Sequence, residues 1–539
     1  MTSTNLTPSL LVGKGAVVPA SYRDPLISSY RGNPLIEALP PILSEEEVMQ
    51  FLANYPNYDE GERQLPSHLR LHLVQNALQF FEPLPIHIDL EQRFSRMIRA
   101  GYQARNPVKA DFWRNFQKQL DVLGSEVTAV TQNHRFRSTA TGFTIIGISG
   151  VGKTTSVEAI LDLYPQVIVH GHYCDRDFIL MQIVWLKLEC PNDGSIKGLC
   201  INFFQAVDDL LRTDYSKNYT GGGRRTVDEL IPYMARVASL HCIGVLVIDE
   251  IQHLNEAKSG GSKKMLNFFV QLINTIGIPV VLVGTYKAMS ILSGEFRQIR
   301  RGSGQGDLVW DRMADDDVWE FFVESLWRYQ YLKKLCPLKP ELCHALYEVT
   351  QGITDFAVKI YMLTQVRAIA TGKETVTESI IRSVAKDSLR LAQPIMLALK
   401  NGDIQFLQNF EDVHPIDITS FIQEAQNSIK VVGKISSSPI IQKSLVEVEQ
   451  EAKISPNNPT FDSPATELAS KVTDVVTQSP SQSEINKRQI KRHKTTTEKK
   501  GLVELVNLSA KQGIAAYEAL KLENYICSAT EYLPEEVEK

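Results

Sequence analysis

The sequence predicts an α/β fold, a parallel β-sheet with helices on both faces, and two observations carry that prediction. Between Gly142 and Thr285 the runs TGFTIIG, QVIVHG, QIVWLKLEC, CIGVLVIDE and PVVLVGT, rich in Val, Ile and Leu, alternate with stretches of helical periodicity. Strands apolar along both faces suit a sheet buried on both sides, which is the parallel kind. One of these runs also leads straight through a glycine-rich turn into an amphipathic helix, TTSVEAILDLY, the strand–loop–helix order of a phosphate-binding unit.

The elements divide the chain into four regions. Residues 1–115 mix Pro-punctuated segments such as NPLIEALPPILSEEE with helical patterns from Leu69 through Phe81 and from Leu90 through Ala104, and read as a mostly helical N-terminal accessory or partner-binding region. Residues 116–312 hold the α/β core. Over residues 313–400 the strand signals stop and helical periodicity takes over, as in DFAVKIYMLTQVRAIA, so a helical subdomain is expected. Residues 401–539 read as a flexible, disordered tail: a Ser-, Pro-, Thr- and Gln-rich stretch cannot bury enough apolar surface to offset its ordering entropy. Near its end KRQIKRHKTTTEKK sets seven Lys and Arg against one Glu, and GLVELVNLSAKQGIAAYEAL has the spacing of an amphipathic, partner-binding helix.

Composition narrows the class. With 539 residues, 43% hydrophobic and 22% charged, the chain can bury a sizeable core, and a net charge of −5 gives no overall field to attract nucleic acid. Any such contact must come from local basic clusters. No run of about eighteen apolar residues occurs, and the N-terminus has no apolar stretch behind a basic start, so a cytoplasmic protein without a membrane partner is expected. The seven cysteines include no C-x-x-C pair, which fits reduced thiols.

The chemistry starts at GISGVGKTT. Gly147, Gly150 and Gly152 let the backbone close around phosphates, and the helix beginning near Lys153 presents its positive end to them. Lys153 would reach the β- and γ-phosphates of ATP, Thr154 would ligate Mg2+, and Thr155 completes the loop. The strand VLVIDE delivers Asp249 to hold the magnesium and Glu250 to polarise an attacking water, a pair that favours hydrolysis over transfer to a small acceptor. Thr285, at the tip of the next strand, either senses the γ-phosphate or caps the helix KAMSIL. Downstream, EFRQIRRGSGQGDLVWDRM carries Arg297, Arg300, Arg301 and Arg312. One of them inserted into a neighbouring subunit would make hydrolysis depend on assembly, and an ordinary solvated turn is the alternative.

Two glycine-bearing basic loops, YTGGGRR and NEAKSGGSKKM, offer Arg224, Arg225, Lys258, Lys263 and Lys264 to a duplex DNA backbone, for salt-sensitive and sequence-independent binding. Solvated loops would look the same. His170, His172 and Cys174 alternate, so on a strand they would share a face, but no fourth zinc ligand is in sight.

These residues together resemble the TnsC/TniB-type AAA+ ATPases, regulators that connect target selection to the transposase in certain bacterial transposons. The resemblance rests on YRGNPLIEALPP, GISGVGKTT, QIVWLKLECPNDGSIKGLCINFFQAVDDLLRTDY, VLVIDEIQHL and PVVLVGTYKA, and covers most of residues 25 to 400. It implies a P-loop AAA+ core with a helical lid, ATP-dependent assembly of a ring or helical homo-oligomer on duplex DNA, and hydrolysis that controls disassembly. The implied partners are transposase subunits and a target selector, either a protein or an RNA-guided complex. Lys153 and Thr154 take the Walker A roles, Asp249 and Glu250 the Walker B roles, and Thr285 the first-sensor position. Arg300 or Arg301 falls at the position of the trans-acting arginine, and Lys359 stands where relatives of the initiator type carry a second-sensor arginine. An initiator or helicase-loader ATPase with the same core is the alternative, as is a P-loop signalling scaffold that does not bind DNA.

Overall fold

The computed structural model describes residues 16–114, 142–191, 194–253, 268, 278–288, 306–403, 406, 418–419 and 421–426. The chain divides into two units, residues 1–443 and 444–539, and every described residue belongs to the first. Its strands are β1 (Val17–Pro19), β2 (Gly142–Gly147), β3 (Val167–Tyr173), β4 (Arg176–Ile183), β5 (Trp185–Glu189), β6 (Val245–Asp249), β7 (Val280–Gly284) and β8 (Leu308–Trp310).

Five of these form a parallel sheet in the order β5-β6-β7-β2-β8. Every residue of β2, β6 and β7 is buried, as their near-continuous apolar sequences require. Helices cover both faces. On one, Phe94 and Met97 of the helix Pro85–Gln103 join Phe143 and Ile145 of β2 in a cluster that continues into Trp319 and Tyr361 of the helical region. On the other, Phe203 and Phe204 of the helix Ile196–Leu211 and Met234 of the helix Val227–Leu240 pack on Leu246 and Ile248. Each such aromatic or aliphatic side chain is worth about 1.5–3 kcal/mol when fully buried.

Two strand assignments change. QVIVHG does not enter the parallel sheet: β3 lies between β1, parallel to it, and β4, antiparallel to it, in a separate three-stranded sheet. The reason is visible in burial, since β4 alternates, with Ile179 88% exposed while Gln182 is fully buried. QIVWLKLEC is likewise two strands in two sheets, parted at Val184, whose N–H donates to the Gln166 carbonyl as its own carbonyl accepts from Val245. The edge strand β8 comes from DLVW, too short to show in a periodicity.

The helical region expected after residue 313 is the helices Asp317–Trp327, Pro340–Thr350, Thr354–Ala370, Glu378–Ser388 and Gln393–Asn401. The first starts where Asp316 accepts from the N–H groups of Val318 and Trp319, an N-cap. In the N-terminal region the pattern Leu69 through Phe81 is an α-helix, Ser67–Leu73, running into a 3-10 helix, Val74–Gln79. Of the tail expected from residue 401, residues 401–403, 406, 418–419 and 421–426 are described, with Ile422 and Ala425 buried in the core cluster, so these are not free of the folded body; the basic run and the terminal helical pattern lie outside the described residues. Among the described residues no helix is long and apolar enough to cross a membrane.

Candidate nucleotide-binding site

β2, β6 and β7 end side by side, and a cavity of about 490 Å³ opens beyond them. That size suits a small-molecule ligand. Its floor is the loop from Ser149 to Thr155, with Glu250, Thr285, Asp311 and Asp316 around it. Gly150 and Gly152 have φ of 88° and 96°, a left-handed conformation that side chains resist, and Gly152 caps the helix Lys153–Leu161. Gly147 is needed for another reason: a Cβ there would lie 2.2 Å from the Trp310 carbonyl oxygen of β8.

The motif residues meet across the strand ends. Thr154 Oγ1 donates to Asp249 Oδ2 at 2.9 Å, and Asp249 is only 2% exposed. Lys153 Nζ donates to the carbonyls of Gly147 and Ile148, at 3.0 and 2.6 Å, so the ammonium sits inside the loop. A residue the motifs do not flag joins them. Lys187 of β5 pairs with Glu158 at 2.7 Å and Asp249 at 3.4 Å. Burial opposes the Lys187 charge, but the Glu158 hydrogen bond and the Asp249 carboxylate outweigh it and hold the ammonium above its ordinary range. Thr154 hydroxyl and Asp249 carboxylate form a hard oxygen donor set, which fits Mg2+.

The second wall comes from the N-terminal region, which sequence reasoning treated as accessory. Phe81, Leu84, Pro85, Ile86 and His87 line the cavity opposite Val358. Burial pushes the His87 imidazole down to about 4, and its Nδ1 accepts from the Leu84 N–H at 2.8 Å. Glu82 also lines the cavity; its Oε1 accepts from the Tyr55 hydroxyl, and its Oε2 is buried with no hydrogen-bond partner among the described residues. No short motif marks this wall, since a stacking surface needs only apolar residues.

Other expected site residues lie elsewhere. Lys359 pairs with Asp355 at 2.6 Å, and it is Thr354, Asp355 and Val358 that line the cavity. Arg312 donates to the Gln351 side chain and the Leu399 carbonyl. Arg224 is exposed beside three glycines of positive φ, whereas the Arg225 guanidinium lies 4.5 Å from the Tyr233 ring centroid and donates to the Tyr219 carbonyl. Arg297, Arg300, Arg301, Lys258, Lys263 and Lys264 lie outside the described residues. His170 and His172 do not share a face: a register shift between them leaves His170 buried between Tyr22 and Gln182 and turns His172 outward to Asp177.

The family model described as the AAA domain matches residues 135–292. No curated protein matches the sequence. Among solved structures, the chain is similar to the Walker-type ATPase of Pyrococcus abyssi, with 12% identity, a TM-score of 0.32, and coverage of 54% of this chain and 75% of that one. It is similar to the Aeropyrum pernix ORC1 protein in complex with DNA, at 13% identity and a TM-score of 0.33 over 60% and 83% of the two chains. Domain III of the Thermotoga maritima replication initiation protein DnaA matches at 16% identity and a TM-score of 0.27, over 52% and 92%. The chain thus carries an AAA domain in a P-loop AAA+ fold, a nucleotide-binding architecture.

Proposed function

We propose that the protein is an ATPase that uses ATP as an assembly switch on duplex DNA, in the manner of a transposition regulator of the TnsC/TniB type. The observation that carries the ATPase part is that Lys153, Thr154, Glu250 and Thr285 line one cavity at the ends of β2, β6 and β7, with Asp249 held behind Thr154 by its hydroxyl. The loop N–H groups and Lys153 bind the phosphates. Thr154 and Asp249 would hold Mg2+, which when bound neutralises charge on the β- and γ-phosphates. Glu250 orients the attacking water and takes its proton, and Thr285 contacts the γ-phosphate. The apolar wall from Phe81 to Ile86 takes the base. The transposition part rests on the motif resemblance, with WLKLECPNDGSIKGLC its most specific stretch. Its partners would be a ring or filament of identical copies, transposase subunits and a target selector, with Arg300 or Arg301 acting in trans and Arg224, Lys258, Lys263 and Lys264 on the DNA.

An initiator or helicase-loader ATPase is served equally well by this AAA core, so the test has two stages. Sedimentation and imaging of the protein with duplex DNA, with ATP, a non-hydrolysable analogue or no nucleotide, should show ordered oligomers only with nucleotide. Lys153→Ala should abolish them, and Glu250→Gln should prolong them while hydrolysis is lost. A monomer indifferent to DNA and nucleotide would end the assembly reading. Stimulation of a transposase by the assembled form, against loading of a replicative helicase, then separates the two ATPase readings.

A further inference from the structure

Glu250 follows β6 with φ of 58°, a left-handed conformation uncommon outside glycine. That turn of the backbone sends the chain into a single 3-10 turn, Ile251–His253, instead of onward with the strand. As a result Gln252 folds back beneath the acid, 6% exposed. Its Nε2 donates to Glu250 Oε2, and its Oε1 accepts from the Thr285 N–H at 3.1 Å. A side-chain amide has one donor end and one acceptor end, and here each has a different site element as its partner. The packing leaves little slack: a Cβ on Gly284, the last residue of β7, would lie 2.6 Å from Ile251 Cγ1 and 3.0 Å from Gln252 Oε1. The β7 tip, the amide and the carboxylate are thus in contact in series.

We infer that Gln252 is a positioning residue for hydrolysis, coupling the tip of β7 at Thr285 to the carboxylate of Glu250. When Thr285 engages a γ-phosphate, the change in its backbone is passed through one amide to the group that orients the water. What the amide sets is the direction of the Glu250 carboxylate. His253 Nε2, 3.6 Å from the same Glu250 oxygen, is the neighbouring titratable group.

The inference rests on the ATPase reading, so the wild type and Glu250→Gln come first. Absence of hydrolysis in the wild type, or its survival in Glu250→Gln, defeats that reading and leaves Gln252 with nothing to position. With those controls passed, three variants are assayed for kcat, KM for ATP and melting temperature. Gln252→Glu keeps an acceptor for the Thr285 N–H and loses the donor to Glu250, Gln252→Met loses both, and Gln252→Asn keeps both groups on a shorter arm. Coupling predicts that all three lower kcat by about tenfold or more with KM near wild type, and that melting temperature stays near wild type in Gln252→Asn and Gln252→Met but falls in Gln252→Glu, which sets a buried carboxylate against Glu250. If Gln252→Glu keeps wild-type kcat while Gln252→Met lowers melting temperature and raises KM, the amide only anchors β7 and the inference is overturned. Wild-type kcat in all the variants that fold overturns it as well.

Discussion

His87 and Asp249 are both buried, His87 in the cavity wall and Asp249 behind Thr154. Asp249 accepts from the Thr154 hydroxyl and faces the Lys187 ammonium. Among the described residues the Leu84 N–H is the hydrogen-bond partner of the His87 ring, and burial holds the imidazole neutral with a pKa of about 4. Its folded pKa lies below the unfolded value, so the associated stability is complete above about pH 6.5 and is lost as pH falls toward 4, on the order of 3 kcal/mol in all. Melting temperature measured across that window should fall, and His87→Asn, which keeps an acceptor for Leu84, should flatten part of the slope. An identical slope in both proteins would remove His87 as the cause. At this scale the phosphate loop and both acids were legible, because phosphate and metal chemistry restricts residue type and spacing. Glu82, His87 and Lys187 were not, because nothing local distinguishes them from other Glu, His or Lys.

The strands show what one element asks of its neighbour. β8 is three residues long, yet its Trp310 carbonyl comes close enough to β2 that Gly147 cannot carry a side chain. Gly147→Ala should therefore push β8 off the sheet edge, with a stability loss of roughly 2 kcal/mol or more by urea denaturation and weaker binding of an ATP analogue. A variant as stable as the wild type would mean that β8 shifts at no cost. The near-continuous apolar runs β2, β6 and β7 were readable as a parallel sheet since burial on both faces leaves no polar alternation. QVIVHG was misplaced because a short apolar run ending in HGHY has the same look in either sheet; pairing with β1 and β4 decided it.

Across the whole described body, the N-terminal region is joined to the helical region through a buried ion pair. Arg70, with no exposed surface, donates to both Glu374 carboxylate oxygens, at 2.9 and 2.6 Å, and to the Leu65 and Tyr331 carbonyls. Arg70→Met leaves Glu374 and two carbonyls without that donor and should cost about 3 kcal/mol in chemical denaturation. Removal of residues 1–115 strips Leu90, Phe94 and Met97 from the cluster on β2 and takes one wall from the cavity. The shortened chain should aggregate or lose nucleotide binding; a soluble, monodisperse and nucleotide-binding product would show that the α/β core stands alone.

The sequence by itself determined the α/β class, the order of strand, phosphate loop and helix, and the two acids at the end of VLVIDE, since each follows from periodicity or from chemistry that admits few residue types. The tertiary structure alone decided which strands share a sheet, that residues from Phe81 to His87 close the cavity, and that Gln252 lies between Glu250 and Thr285. Those are contacts between residues far apart in the chain or brought together by a single turn of backbone, and no spacing in the sequence records them.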